Sequence, residues 1–195
     1  MDDDLFFLAD DKPSRADAMR NREKLLQVAT QLFDQYPVED VTMSQIAQSA
    51  QVGKGTLYRN FQDKGTLCIA LLDQSLRTLQ EETLTYLRQD LPPYAKLVWF
   101  LKQVINFNVQ NQEILQEVRR NATTDETVIR AHGWWYQTIF ALLKQIDPTH
   151  DWQYISHVFY TALDIQAIQY QLDYLHYTQT DIEQQMLAML DRLLD

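Results

Sequence analysis

The chain has 195 residues, 46% hydrophobic and 23% charged, with a formal net charge of -10. This is ordinary globular composition, long enough for one well-buried core or for a small domain beside a larger one. No apolar run reaches the roughly 18 residues of a membrane span, and the single cysteine, Cys68, excludes an internal disulfide and a cysteine-based metal site. The start, MDDDLFFLADD, is acidic and its apolar run is too short for a signal peptide, so a cytoplasmic protein is expected. Only four glycines and five prolines punctuate the sequence, which predicts an all-α fold of about nine helices.

Residues 1–12 read as an acidic, disordered tail on composition. A first helix is predicted from near Ser14 to Gln35, with Leu25, Val28, Ala29, Leu32 and Phe33 as its inward stripe and Pro37 as its stop. Thr42-Met43-Ser44-Gln45 has capping-box form and starts a short second helix with Ile46, Ala47 and Ala50 inward. A tight connection spans Ser49 to Gly53, and a third short helix covers about Lys54 to Asn60, with Leu57 and Phe61 inward. A fourth is expected from about Lys64 to Gln89, ending before Pro92-Pro93. Further helices are expected at about 93–111, 113–121, 125–146, 151–175 and 180–194, the last opened by a box at Thr180–Glu183. The predicted organisation is the tail, a small helical domain at 13–64 and a larger helical bundle at 65–195.

Charge is distributed unevenly along this plan. Residues 1–11 carry five aspartates and no base. Residues 12–64 carry eight Lys and Arg against six Asp and Glu, the one net-basic stretch, and residues 65–195 carry nine against sixteen. The basic stretch contains VGKGTLYRNFQDKG, residues 52–65, with three of the four glycines. A Walker-type phosphate loop would need glycine at 48 and Ser or Thr at 55, where Gln48 and Gly55 stand, and no strand precedes it. Two short helices joined by a tight turn and braced by a longer one form a helix-turn-helix, whose second helix enters the major groove. Lys54, Gly55, Thr56, Tyr58, Arg59 and Asn60 are then available to phosphates and base edges. Thr42 and Ser44 sit at a helix start that favours a phosphate, and Lys64 approaches from the other side. Taken one at a time, these residues also fit ordinary packing tyrosine and solvated surface charge.

The stretch VTMSQIAQSAQVGKGTLYRNFQDKGTL resembles the DNA-binding signature of the tetracycline-repressor (TetR) family of bacterial transcription regulators. Thr42, Ile46, Ala47, Ala50, Val52, Leu57, Tyr58, Phe61, Lys64 and Leu67 fall on that pattern in register. Two positions depart from it. Gln51 stands where the family has a turn glycine; if that residue is left-handed, the departure costs about 1 kcal/mol. Gly53 stands where a Ser or Thr caps the recognition helix, so either the cap lacks a side-chain acceptor or the glycine has moved and the turn differs. In this family the segment before helix one is often basic. Here it holds Asp2, Asp3, Asp4, Asp10 and Asp11 around Leu5-Phe6-Phe7-Leu8, as a solubilising tail, as a competitor of DNA for the basic face, or as a segment whose Phe6 and Phe7 dock on a partner.

The resemblance implies a dimer formed through the last two long helices on a palindromic operator, and release by a small-molecule effector. Ile155, Val158, Phe159, Ala162, Leu163, Ile165 and Ile168, with Ile182, Met186, Leu187, Met189, Leu190, Leu193 and Leu194, offer apolar faces for an interface or for internal core. Trp99, Phe107, Trp134, Trp135, Phe159 and Tyr160 lie in the helices that line the family's effector pocket, with Asp164 as a polar end; the same aromatics also suit plain core. His132, His150, His157 and His176 are scattered without metal-ligand spacing. No catalytic constellation, metal or cofactor is indicated, so an enzyme is not expected. The function indicated is a TetR-type regulator, a repressor rather than an activator. The alternative is a protein-interaction module on the same fold with weak or lost DNA binding.

Overall fold

The computed structural model describes residues 15–120 and 126–194. The predicted tail at 1–12 lies outside the described residues. Among those described there are ten α-helices and no strand. They divide into two compact units, one ending at Lys64 and the other beginning at Gly65.

The first unit holds α1 (Arg15–Phe33), α2 (Met43–Ser49) and α3 (Lys54–Asn60). Each packs on the other two. Leu25 and Ala29, one turn apart on α1, are fully buried, and so are Ile46, Ala50, Leu57 and Phe61. Ala47 is 2% exposed, small where α2 must approach its neighbours closely. The inward stripe expected on α1 is narrower than its periodicity suggests, because Val28, Leu32 and Phe33 are only half-buried.

The second unit holds α4 (Lys64–Leu87, its first residue still in the first unit), α5 (Pro93–Gln110), α6 (Gln112–Arg120), α7 (Glu126–Ile146), α8 (Gln153–Ala162), α9 (Ile165–Asp173) and α10 (Gln179–Leu194). Helix α5 is its centre and packs on α6, α7, α9 and α10. Leu97, Phe100, Leu101, Val104 and Ile105 repeat at three- and four-residue spacing and are buried. Asn108 occupies the next position of that stripe and is 2% exposed. Its amide donates to the carbonyls of Val104 at 3.1 Å and Leu163 at 2.9 Å, which satisfies it inside the core. Near the other end of α5 the Tyr94 hydroxyl donates to Asp191 of α10 at 2.5 Å.

The helix expected over 151–175 is two helices. Asp164 is extended (φ -60, ψ 141), and its side chain accepts from the Gln166 amide at 2.8 Å, so it caps a new helix. Periodicity conceals this break because Phe159, Leu163, Ile165 and Ile168 all stay inward across it. The capping box before α10 is Thr178 with Asp181, two residues earlier than expected. The Thr178 amide donates to the Asp181 carboxylate at 2.8 Å, and the Asp181 amide donates to Thr178 Oγ1 at 3.2 Å. Glu183, the partner in the expected box, instead accepts from Gln179 Nε2 at 2.9 Å.

Candidate nucleic-acid interface

The geometry of α3 is set by the turn before it. The Gln51 amide donates to the Gln48 carbonyl at 3.0 Å, and the Val52 amide donates to the Ala47 carbonyl at 2.9 Å. This pair of bonds is the Schellman closure of a helix C-terminus, which places its C′ residue in the left-handed region. Gln51 is that residue, at φ 53. The glycine has therefore not moved. Gly53 has φ -61 and ψ 142, an ordinary extended N-cap with no side-chain hydrogen bond. A Cβ at Gly53 would meet nothing within 4 Å, so local packing does not require glycine there.

Helix α3 buries Leu57 and presents Lys54, Gly55, Tyr58 and Arg59 outward. These four sit at i, i+1, i+4 and i+5, one face of a helix. Tyr58 is 51% exposed. Arg59 Nε donates to the Gly55 carbonyl at 3.3 Å, laying the side chain along the helix and leaving its terminal nitrogens as donors to other groups. A Cβ at Gly55 would meet only the Arg59 guanidinium, at 4.0 Å.

The other predicted contacts are more deeply engaged in the fold. Asn60 is half-buried and its amide donates to the Thr56 carbonyl at 2.8 Å, so it finishes α3 from within. Thr56 is also half-buried. The Thr42 hydroxyl belongs to the capping box: it donates to Gln45 Oε1 at 2.7 Å and accepts from the Gln45 amide at 3.2 Å. Ser44 is exposed one residue into α2. Lys64 Nζ donates to the Glu39 carbonyl at 3.2 Å, which fastens the start of α4 to the loop before α2. Sequence reasoning gave Arg22 no role. Its guanidinium carbon lies 4.6 Å above the Phe61 ring centroid, so a cation of α1 stands against the C-cap of α3. Neither residue type nor spacing signals a pairing between positions 39 residues apart in sequence.

In the second unit the aromatic residues assigned to an effector pocket fall in several places. Trp99 stacks on Tyr86 at 4.2 Å between centroids, beside an open depression lined also by Glu81, Glu82, Thr85 and Gln89. Phe107 meets Trp135 edge-on at 5.9 Å, and Trp134 meets Phe100 edge-on at 5.5 Å. Phe159 is buried. Tyr160 is half-buried; burial raises the pKa of its phenol, and the nearby Asp164 carboxylate adds to this. Asp164 itself is the cap of α9.

The model for bacterial regulatory proteins of the tetR family matches residues 25–71, from the middle of α1 to the first turns of α4. An HTH-type transcriptional regulator of Staphylococcus aureus (strain bovine RF122 / ET3-1) is 32% identical over 101 residues, covering 52% of this chain and 55% of that protein. The chain thus spans about half the length of the curated relatives it matches. A TetR-family transcriptional regulator from Pectobacterium atrosepticum shares the fold with a TM-score of 0.71 at 20% identity, over 93% of this chain and 95% of that one. The fatty acid degradation regulator FadR from Bacillus halodurans shares it with a TM-score of 0.62 at 14% identity, over 89% and 94%. No described helix is long and apolar enough to cross a membrane.

Proposed function

Since residues 25–71 match the model for bacterial regulatory proteins of the tetR family, we propose that the chain is a sequence-specific transcriptional regulator of the cytoplasm. It acts as a dimeric repressor on a palindromic operator. The observation that carries this reading is the outward face of α3. Lys54, Tyr58 and Arg59 stand clear of the core on a short helix, with Gly55 leaving room for close approach. Cations and hydroxyls on such a helix suit phosphates and major-groove acceptors.

Two copies are needed because one short helix reads only a few base pairs, and half-sites recur about 34–36 Å apart. The surface that joins them differs from the aliphatic stripes of the sequence. Phe159, Leu163, Ile165, Ile168, Ile182, Met186 and Leu190 are spent inside the unit. The most exposed large apolar side chains of α8 to α10 are aromatic: Tyr154 at 77%, Tyr170 at 56% and Tyr174 at 74%, with Val158 one turn from Tyr154 on α8 and Leu193 of α10 also exposed. The second copy packs on this face of α8 and α9. A small molecule bound among the aromatics of the second unit acts through α4, the covalent link to the first unit. It releases DNA by binding two states with different affinity.

The test is selection of bound fragments from sheared source-genome DNA, with the wild-type chain beside a Lys54→Ala, Arg59→Ala double variant. The expected result is a few palindromic sites, lost in the variant and weakened by salt. Equal recovery of unrelated fragments by both proteins would end the reading and favour a protein partner instead.

A further inference from the structure

A cation of α1 stands at the C-terminal end of α3. Arg22 stands over Phe61, which caps the C-terminus of α3, so the middle of α1 adjoins the end of the reading helix. Arg22, Lys54 and Arg59 are exposed, and among the described residues none of the three is in an ion pair. Helix α1 begins at Arg15, seven residues before Arg22, or about 10 Å along a helix axis. Helix α3 has seven residues and is itself about 10 Å long. The fourteen residues that precede Arg15 reach up to about 46 Å when extended, enough to run the whole length of α3.

The chemistry of that segment complements the face. Asp2, Asp3, Asp4, Asp10 and Asp11 bracket Leu5-Phe6-Phe7-Leu8, with no Lys or Arg among residues 1–11. Lys54 and Arg59 flank Tyr58, a half-exposed ring, on the outward face of α3, and Arg22 stands over Phe61 at the end of that helix. Carboxylates meet guanidinium and ammonium groups, and the phenylalanines meet the tyrosine ring. We propose that residues 2–11 bind in cis across Arg22 and the exposed face of α3, and so compete with DNA phosphate for the same cations.

The competition rests on the DNA reading of α3 and gives it a regulator. A short tether holds its ligand at an effective concentration on the order of mM, so a contact whose dissociation constant between separate molecules is also on the order of mM occupies the face about half of the time. The charges are screened over about 10 Å at 0.1 M salt, which confines the effect to low and moderate ionic strength.

The experiment compares three full-length proteins: the natural chain, a deletion of residues 2–11, and a chain with all five tail aspartates changed to asparagine. Each is titrated with a mixed-sequence DNA duplex long enough for two half-sites, at low and moderate salt. Backbone amide spectra are recorded without DNA. Both altered chains should bind the duplex about three- to tenfold more tightly at low salt, with a steeper salt dependence because no tail carboxylates are exchanged for phosphates. Amides of residues 54–59 should shift between the natural chain and the deletion. Equal duplex affinity, or unchanged α3 amides, would overturn the proposal. Shifted α3 amides in proteins that do not bind the duplex at low salt would uphold the tail contact, overturn its inhibitory role, and remove the DNA reading of α3.

Discussion

The Val52 amide donates to the Ala47 carbonyl at 2.9 Å, and that closure of α2 places one of the four residues between α2 and α3 in the left-handed region. Gln51 is that residue, at φ 53, where a side chain costs about 1 kcal/mol relative to glycine. Gln51→Gly should therefore stabilise the first unit by about 1 kcal/mol, seen as roughly fivefold slower hydrogen exchange at α2 and α3 amides. Gln51→Val should do the reverse, since a β-branched side chain is worse in that region. Faster exchange in the glycine variant would show that Gln51 makes a compensating contact.

Gly55 allows folding and the proposed DNA contact to be tested separately. A Cβ there meets only Arg59, at 4.0 Å, which is ordinary van der Waals contact. Alanine in a helix is favoured over glycine by up to about 1 kcal/mol, so Gly55→Ala should leave folding intact or slightly improve it. If the backbone of α3 closes on the groove, the added methyl should lower DNA affinity, by about tenfold for a misfit near 1.4 kcal/mol. Unchanged affinity in a filter-binding titration would place Gly55 away from the DNA.

Asp164 is positioned to cap α9, its carboxylate accepting from the Gln166 amide at 2.8 Å. Asp164→Ala should destabilise the second unit by about 1 kcal/mol, whereas Asp164→Asn, which keeps an acceptor, should cost much less. Urea unfolding of the full chain reads the difference. Equal losses in both variants would mean that the charge matters more than the cap.

These cases show what the sequence made legible. Local chemistry read well. Thr42 with Gln45 forms the box its spacing requires, and Leu57 and Phe61 point inward as their positions demand. The strain at Gln51 was visible as a missing glycine. The α8–α9 break was not visible, because it contains neither glycine nor proline and the apolar pattern continues through it. The Arg22–Phe61 pair was hidden for another reason: it joins two elements through tertiary packing, which no local period encodes. The apolar stripes of the last helices were seen, but whether they face a partner or their own core depends on neighbours far along the chain.

The box that opens α10 should titrate. Hydrogen bonds from the Thr178 amide and hydroxyl hold the Asp181 carboxyl below its ordinary value of 3.8. A carboxyl depressed in the folded state contributes stability that is fully present above its unfolded value and lost as pH falls through its folded one. Amide exchange in the first turn of α10 should therefore stay protected down to about pH 4 and quicken only below that. In Asp181→Asn that acid-dependent step should vanish. Its persistence in the variant would assign the step to another group.

The tyrosines of α8 and α9 carry the last prediction. Tyr170 and Tyr174 stack on each other at 5.3 Å yet remain 56% and 74% exposed, and Tyr154 on α8 is 77% exposed. Large aromatic side chains bury roughly 150–250 Å² each when covered, so three of them supply a substantial part of the about 800 Å² that a stable interface takes from each partner. Their exposure leaves the fold of a single copy independent of them. If the proposed dimer forms through these residues, Tyr154→Glu with Tyr174→Glu should turn it into a folded monomer in sedimentation, with the helical circular dichroism unchanged. Operator binding should fall with it, because a monomer offers one reading helix where two half-sites require two. A double variant that still sediments as a dimer would move the interface off this face and onto α10.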